Sequence, residues 1–272
     1  MLRVLRFAAI ASLALGTIVV GASAAGAAVA HPHPHVCKGT LKSPGLLRGT
    51  FHRDVVVVGV CGVFGGPAVI RGDLILTPGS VLDATFALND VTESPCSDDP
   101  NASKGGTLTG NNHVFGSVSA WHALAVLIHA STIFGNVSSS GGGGGVTCAI
   151  PKTGVFHFLK IPVFSDAEDN NVGGSISFVG LRTCWLGALR NYVRGNVIDV
   201  GNKMADPDAN EFLANTIRGS IACFANVPAV QYGDSMSSPN KVRGRAFGEC
   251  AFGVKKPDPA PNGKLRPISI KI

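Results

Sequence analysis

A five-residue motif, apolar-x-Gly-x-apolar, recurs at near-regular spacing and constrains the fold more than any other feature of this chain. It reads LRGTF at 47–51, IRGDL at 70–74, VFGSV at 114–118, IFGNV at 133–137, VGGSI at 172–176, VRGNV at 193–197, IRGSI at 217–221 and VRGRA at 242–246. A weaker copy surrounds Gly154, with Lys152 at its first apolar place. The central glycines Gly49, Gly72, Gly116, Gly135, Gly154, Gly174, Gly195, Gly219 and Gly244 lie 23, 44, 19, 19, 20, 21, 24 and 25 residues apart, so with 44 counted as two units the period is about 22. Apolar residues at alternating places mark a strand buried on one face. A unit this short cannot bury that face alone, so successive copies must stack and share a core. The expectation is an all-β parallel β-helix, or β-solenoid, of about ten coils over residues 31–253, a rod roughly 45 to 50 Å long at about 4.8 Å per coil. A Gly-rich β-sandwich is the alternative, since regularly spaced turns suit it too.

Asparagine phase separates the two architectures. Asn112, Asn170, Asn191, Asn215 and Asn240 stand four residues before a central glycine, and Ser131 takes the equivalent place in another copy. Equivalent positions of a sandwich need not meet, whereas in a solenoid they stack and amide side chains bond along the column. The spacing therefore predicts an Asn ladder. Alternation puts Asn, both apolar residues and the Gly on one face, where Gly permits a bend or close backbone approach.

The first 30 residues carry Arg3 and Arg6, an uncharged apolar run from Phe7, and small-residue sites at Ala22-Ser23-Ala24 and Ala28-Val29-Ala30. That is the pattern of a secretory signal peptide, and no apolar run reaches the roughly 20 residues of a transmembrane helix. A secreted, extracellular or cell-wall-associated protein is expected. Removal of residues 1–30 lowers the net charge from +6 to +4, and the surplus sits in residues 254–272, where Lys255, Lys256, Lys264, Arg266 and Lys271 face Asp258 alone among four prolines. This segment reads as an extended basic tail.

Seven cysteines in an exported chain point to disulfides. Cys37 and Cys61 precede Gly49 and Gly72 by 12 and 11 residues, and Cys223 and Cys250 follow Gly219 and Gly244 by 4 and 6, so each pair falls on adjacent coils at one end of the rod. Both bonds are expected. Cys148 and Cys184 count as two coils apart, beyond disulfide reach, and remain unassigned with Cys96. The HPHPH leader with His31, His33 and His35 reads as a polar segment, because Pro32 removes an amide that an amino-terminal copper site would use.

The copies VRGNV and IRGSI, the stretch from CKGTL to VVVVGVCGVFGG, and the closing IACFANVPAVQYGDSMSSPNKVRGRAFGEC resemble a family of small exported Gly-rich repeat proteins of actinobacteria. The similarity extends over most of the chain after the leader, and it brings no catalytic residue with it. The 44-residue interval departs from the pattern, and residues 93–106 there read as a protruding loop.

On the outer surface, the residue before the central glycine is Arg48, Arg71, Arg194, Arg218 or Arg243 in five copies, and Phe115 or Phe134 in two. Stacked arginines suit a repeating anion, such as an anionic cell-wall polymer or acidic glycan, and stacked phenylalanines add apolar contact. Arg194, Arg218, Arg243, Phe115 and Phe134 are the candidate ligand-binding residues. Nucleic acid is not an expected partner, because the body is neutral and the compartment is wrong. Self-association through open solenoid ends is a further route to assembly. The chain reads as non-enzymatic, with no catalytic residues, cofactor or metal. The alternative is a polysaccharide lyase or hydrolase on the same scaffold, which needs converging carboxylates. The acidic clusters instead read as solvated turns: Asp98 and Asp99, then two whose oxygen-rich spacing has Ca²⁺ as the alternative, Asp166, Glu168 and Asp169 in SDAEDNN and Asp206, Asp208, Asn210 and Glu211 in DPDANE, the latter lacking the Gly and Glu of an EF-hand loop.

Overall fold

The computed structural model describes residues 33–63, 67–84, 112–231, 239–252 and, for their backbone, 254–255. The leader with His31, the loop at 93–106, Cys96 and the tail from 256 lie outside these residues. The described chain winds as a succession of short strands into a parallel β-solenoid, every strand pairing in parallel with its counterpart one coil away. Each coil has three faces. The first holds Leu74–Leu76, Val118–Trp121, Val137–Ser140, Ile176–Val179, Val197–Val200, Ile221–Phe224 and Ala246–Gly248. The second holds Val81–Ala84, Ala125–His129, Phe164–Glu168, Trp185–Leu189 and Asn210–Leu213. The third holds Gly49–Phe51, Ala68–Ile70, Asn112–Val114, Ser131–Ile133, Asn171–Val172, Tyr192–Val193, Thr216–Ile217 and Asn240–Val242. The long strand Val55–Gly62 serves the first and second faces, turning between them at Gly59 with φ +76°. No helix among the described residues is long and apolar enough to cross a membrane.

The repeat motif forms the corner between the third and first faces. Its first apolar residue closes a buried column through Ile70, Val114, Ile133, Val172, Val193, Ile217 and Val242, and its second forms another through Leu74, Val118, Val137, Ile176, Val197 and Ile221. Each fully buried Val or Ile contributes roughly 1.5 to 3 kcal/mol. The glycines between them stack backbone on backbone: the N–H of Gly116, Gly135, Gly174, Gly195, Gly219 and Gly244 each donates to the carbonyl of the glycine one coil earlier, at 2.7 to 3.0 Å. The residue after each glycine adds a second ladder, unforeseen from the sequence. Asp54, Asp73, Ser117, Asn136, Ser175, Asn196 and Ser220 accept, through their side-chain oxygens, the backbone N–H of their counterpart one coil later.

That double ladder explains why the corner is glycine. A Cβ on Gly195 would sit 2.4 Å from Ser175 Oγ and 2.7 Å from Gly174 O. Gly195→Ala is therefore expected to cost about 2 to 3 kcal/mol through overpacking and loss of corner hydrogen bonds. At Gly201, φ is +67° with nothing within 4 Å of a built Cβ. Gly201→Ala should cost only about 1 kcal/mol, because Ala225 already holds the same left-handed turn one coil later at φ 56°. Urea denaturation of the two variants side by side tests this; equal losses would refute the crowding argument.

The coil count is about eight where the period predicts ten. Two intervals were misread as two units each. Val114 pairs directly with Ile70, so the 44-residue interval is one coil carrying an insertion. Val172 pairs directly with Ile133, so Gly154 is not a repeat glycine and lies beside the short helix Val155–Leu159 in a second insertion. The first copy is also shifted: Phe51, not Leu47, pairs with Ile70, so the true corner is FHRDV at 51–55 with Arg53 in the glycine place. The tail starts later than residue 254, since Val254–Lys255 pairs with Asn240 and Lys241.

Candidate functional site

The corner between the second and third faces carries the asparagines. Asn170 Nδ2 donates to Asn191 Oδ1 at 3.0 Å, Asn191 Nδ2 to Asn215 Oδ1 at 3.0 Å, and Asn215 Nδ2 to Asn240 Oδ1 at 2.9 Å. Each Oδ1 also accepts the backbone N–H of the preceding rung. The second N–H of each amide reaches inward to a carbonyl of the second face, at Ile128, Ala167, Ala188 and Phe212. Ser131 N donates to Asn170 Oδ1, and Asn112 Nδ2 reaches Ser131 Oγ at 3.3 Å. All six side chains are buried. The residue before four of the rungs is left-handed, at Ala130, Asp169, Arg190 and Ala214, which makes the sharp turn. A matching corner between the first and second faces is built by Asn202 and Asn226, each one residue after a left-handed Gly201 or Ala225.

Three disulfides tie the coils. Cys37–Cys61 and Cys223–Cys250 have Cα separations of 6.4 and 5.3 Å. Cys148–Cys184, at 4.6 Å, corrects the sequence expectation that these two lie out of reach. Once Gly154 is removed from the repeat, Gly135 and Gly174 belong to neighbouring coils, and the bond clips the second insertion to the solenoid.

The outer column beside the glycine corner runs His52, Arg71, Phe115, Phe134, Gly173, Arg194, Arg218, Arg243. His52 and not Arg48 precedes Arg71, which follows from the shifted first copy. Phe115 and Phe134 stack at 4.8 Å with planes 9° apart, and Arg71 lies 4.7 Å over the other face of Phe115. Both faces of Phe115 and one face of Phe134 are thereby covered. The C-terminal part is different: Arg194 and Arg243 are exposed, Arg218 is half-exposed with Nη1 donating to Tyr192 OH at 3.2 Å, and Arg245 and Lys241 are exposed alongside. Among the described residues no carboxylate pairs with these five cations. Solvent screening makes the like-charge stack tolerable, and a multivalent anion would relieve it.

The acidic cluster of SDAEDNN is not a solvated turn. Phe164–Glu168 is a buried strand whose odd residues face inward. Phe164, Asp166 and Glu168 face outward, where Phe156 of the insertion covers Phe164 at 6.2 Å. Asp166 is 1% exposed and lies 3.1 Å from His129 Nε2, yet neither of its oxygens accepts a hydrogen bond. Glu168 accepts from Arg190 Nη2 at 2.7 Å, and Arg190 grips Asp169 with two further bonds of 2.9 Å. Burial pushes the Glu168 carboxyl up to about 7, with His129 and Arg190 pulling back. In DPDANE, Asp206 Oδ1 caps its own turn by accepting from Asp208 N, while Asn210 and Glu211 lie in a buried strand, Glu211 accepting from Trp185 Nε1. The inward side is mostly apolar with a few serines such as Ser139 and Ser165, and it holds one carboxylate, Asp199, which is fully buried and bonded by Asn202 and Asn210. Burial raises its carboxyl to about 7.

Sequence reasoning missed the His129–Asp166–Glu168 convergence because His129 and Asp166 stand 37 positions apart, and only the true coil register superposes their strands. Alternation from Ala167, whose carbonyl serves the Asn ladder, was the available signal. No known family model, curated protein or solved structure matches the chain.

Proposed function

We propose that the protein is a secreted, non-enzymatic β-solenoid that binds an anionic polymer of the cell surface along the Arg194, Arg218 and Arg243 column. One observation carries this reading: the three arginines stand in register on successive coils, without a carboxylate partner among the described residues. Their spacing follows the strand repeat of about 4.8 Å, so a chain of phosphates or uronates lying along the rod meets one guanidinium after another. Arg245 and Lys241 widen the same strip. The disulfides are compatible with an extracellular setting, and the leader at 1–30 is the feature that supports export.

The polysaccharide-enzyme reading has one observation in its favour, the convergence of Asp166 and Glu168 with His129. It fits less well, because those side chains are buried and a glycosidase pair must face a bound sugar. The test is co-sedimentation of the mature protein with purified cell walls over a salt series, beside the triple variant Arg194→Ala, Arg218→Ala, Arg243→Ala. At about 0.5 kcal/mol per exposed contact, the triple change should weaken low-salt binding by about tenfold or more. Salt-insensitive binding, or equal binding by both proteins, would overturn the proposal.

A further inference from the structure

We propose that His129, Asp166 and Glu168 form a binding site for one first-row divalent cation, Zn²⁺ being the best-fitting example. This goes beyond the anionic-polymer reading and does not depend on it. The three side chains come from two paired strands: His129 stands directly opposite Glu168, and Asp166 is two residues before Glu168 on the same outward face. One ligand atom from each lies within 4.8 Å of the others. Zn²⁺ holds imidazole nitrogen and carboxylate oxygen at about 2.0 to 2.2 Å, so donors around it are at most roughly 4.2 Å apart, and closing the gap needs only small side-chain movement. An imidazole with two carboxylates favours such an ion over Ca²⁺ or Mg²⁺, which take oxygen.

The independent pointer is Asp166. It is 1% exposed, and neither oxygen has a hydrogen-bond partner, although His129 Nε2 approaches Oδ2 to 3.1 Å. A buried carboxylate with nothing to accept from is costly unless a cation faces it. Among the described residues three carboxyl groups, those of Asp166, Glu168 and Asp169, converge on one guanidinium, that of Arg190, a balance that favours a bound cation. The surroundings are also arranged for ligation. Arg190 donates to Glu168 Oε2 and is itself held by both oxygens of Asp169, which fixes the orientation of the Glu168 carboxylate. Such an ion would clamp the coil of Ala125–His129 to that of Phe164–Glu168 at the place where the second insertion interrupts the repeat.

The test is metal stoichiometry on the full mature chain, stripped with a chelator and titrated with Zn²⁺ against a chromophoric competitor. The near-isosteric Asp166→Asn should weaken one equivalent by about 100-fold or more, as should His129→Gln, while a His31→Ala, His33→Ala, His35→Ala variant, which removes the three histidines of the HPHPH segment, should leave it in place. Hydrogen exchange of the unaltered protein supplies a readout that needs no variant to fold: Zn²⁺ should slow exchange at 125–129 and 164–168. No bound equivalent, an equivalent retained at full affinity in Asp166→Asn, or protection confined to 33–36 and 51–53 would each overturn the proposal.

Discussion

Asn191→Ala should lower the unfolding free energy by about 3 to 5 kcal/mol, a loss matched among the ladder rungs by Asn215, which makes the same four bonds. The side chain is 1% exposed and makes four bonds: its Oδ1 accepts from the N–H and the Nδ2 of Asn170, and its Nδ2 donates to Ala167 O and to Asn215 Oδ1. Truncation leaves the Asn170 N–H and the Ala167 carbonyl buried and unpaired, at about 1 to 3 kcal/mol each, and opens a small cavity between two coils. Asn191→Asp should be no better. A carboxylate keeps the two acceptor contacts but faces Ala167 O and Asn215 Oδ1 with nothing to donate. Asn191→Ser should recover part of the loss, because Ser131 already fills this place one rung from the end, accepting through Oγ while donating to His129 O. Asn112, with one long bond to Ser131 and one from Ala68 N, should lose only about 1 to 2 kcal/mol on truncation. Urea denaturation with the disulfides intact ranks the four variants. A loss at Asn191 no larger than at Asn112 would mean that the column is a row of turn residues and not a coupled ladder.

This ladder was legible in the sequence because its signal is positional and repeats: an amide four residues before a glycine, copy after copy. The same periodicity misled where a copy was false. Lys152 in the first apolar place of the Gly154 copy was the warning, since a charge cannot enter the column that holds Ile133 and Val172. Accepting that copy displaced every later coil by one and put Cys148 and Cys184 out of reach. The second ladder, after the glycines, escaped notice because Asp, Ser and Asn share it. The three residue types look unrelated in sequence, and only their common ability to accept one backbone N–H unites them. The buried cluster around Asp166 was illegible for a different reason. SDAEDNN has the composition of a turn, and what makes it a strand is the flanking pairing to Ala125–His129 and Trp185–Leu189, which tertiary stacking imposes over local preference.

Asp199→Asn should reverse the order of stability with pH. The sequence VIDV at 197–200 places Asp199 on the inward side with Val197, and the structure buries it completely beside Phe178 and Cys223 in the adjoining coils. Desolvation is the dominant cause of its raised carboxyl, about 7 against 3.8 when exposed, opposed by the donors Asn210 and Asn202. Between those two values the folded protein holds a proton that the unfolded chain has released. Unfolding therefore becomes easier as pH rises through that window: the contribution of Asp199 is intact below about pH 4 and lost above about pH 7, an effect of up to about 4 kcal/mol. The neutral amide of Asn carries no such penalty. It keeps one acceptor, and its NH₂ can serve Asn210 Oδ1, which is buried without a partner, once that amide turns and gives up its 3.3 Å bond to Pro228 O. That exchange costs about 1 kcal/mol at every pH. The variant should thus be about 1 kcal/mol less stable than the parent at pH 3 and about 3 kcal/mol more stable at pH 8. Glu168 titrates in the same direction in both proteins, so the difference between their curves isolates Asp199. Urea midpoints measured from pH 3 to pH 8 give that difference directly. Parallel curves would mean that the donors around Asp199 hold it as a carboxylate throughout, and that the core of this coil is built around a buried charge.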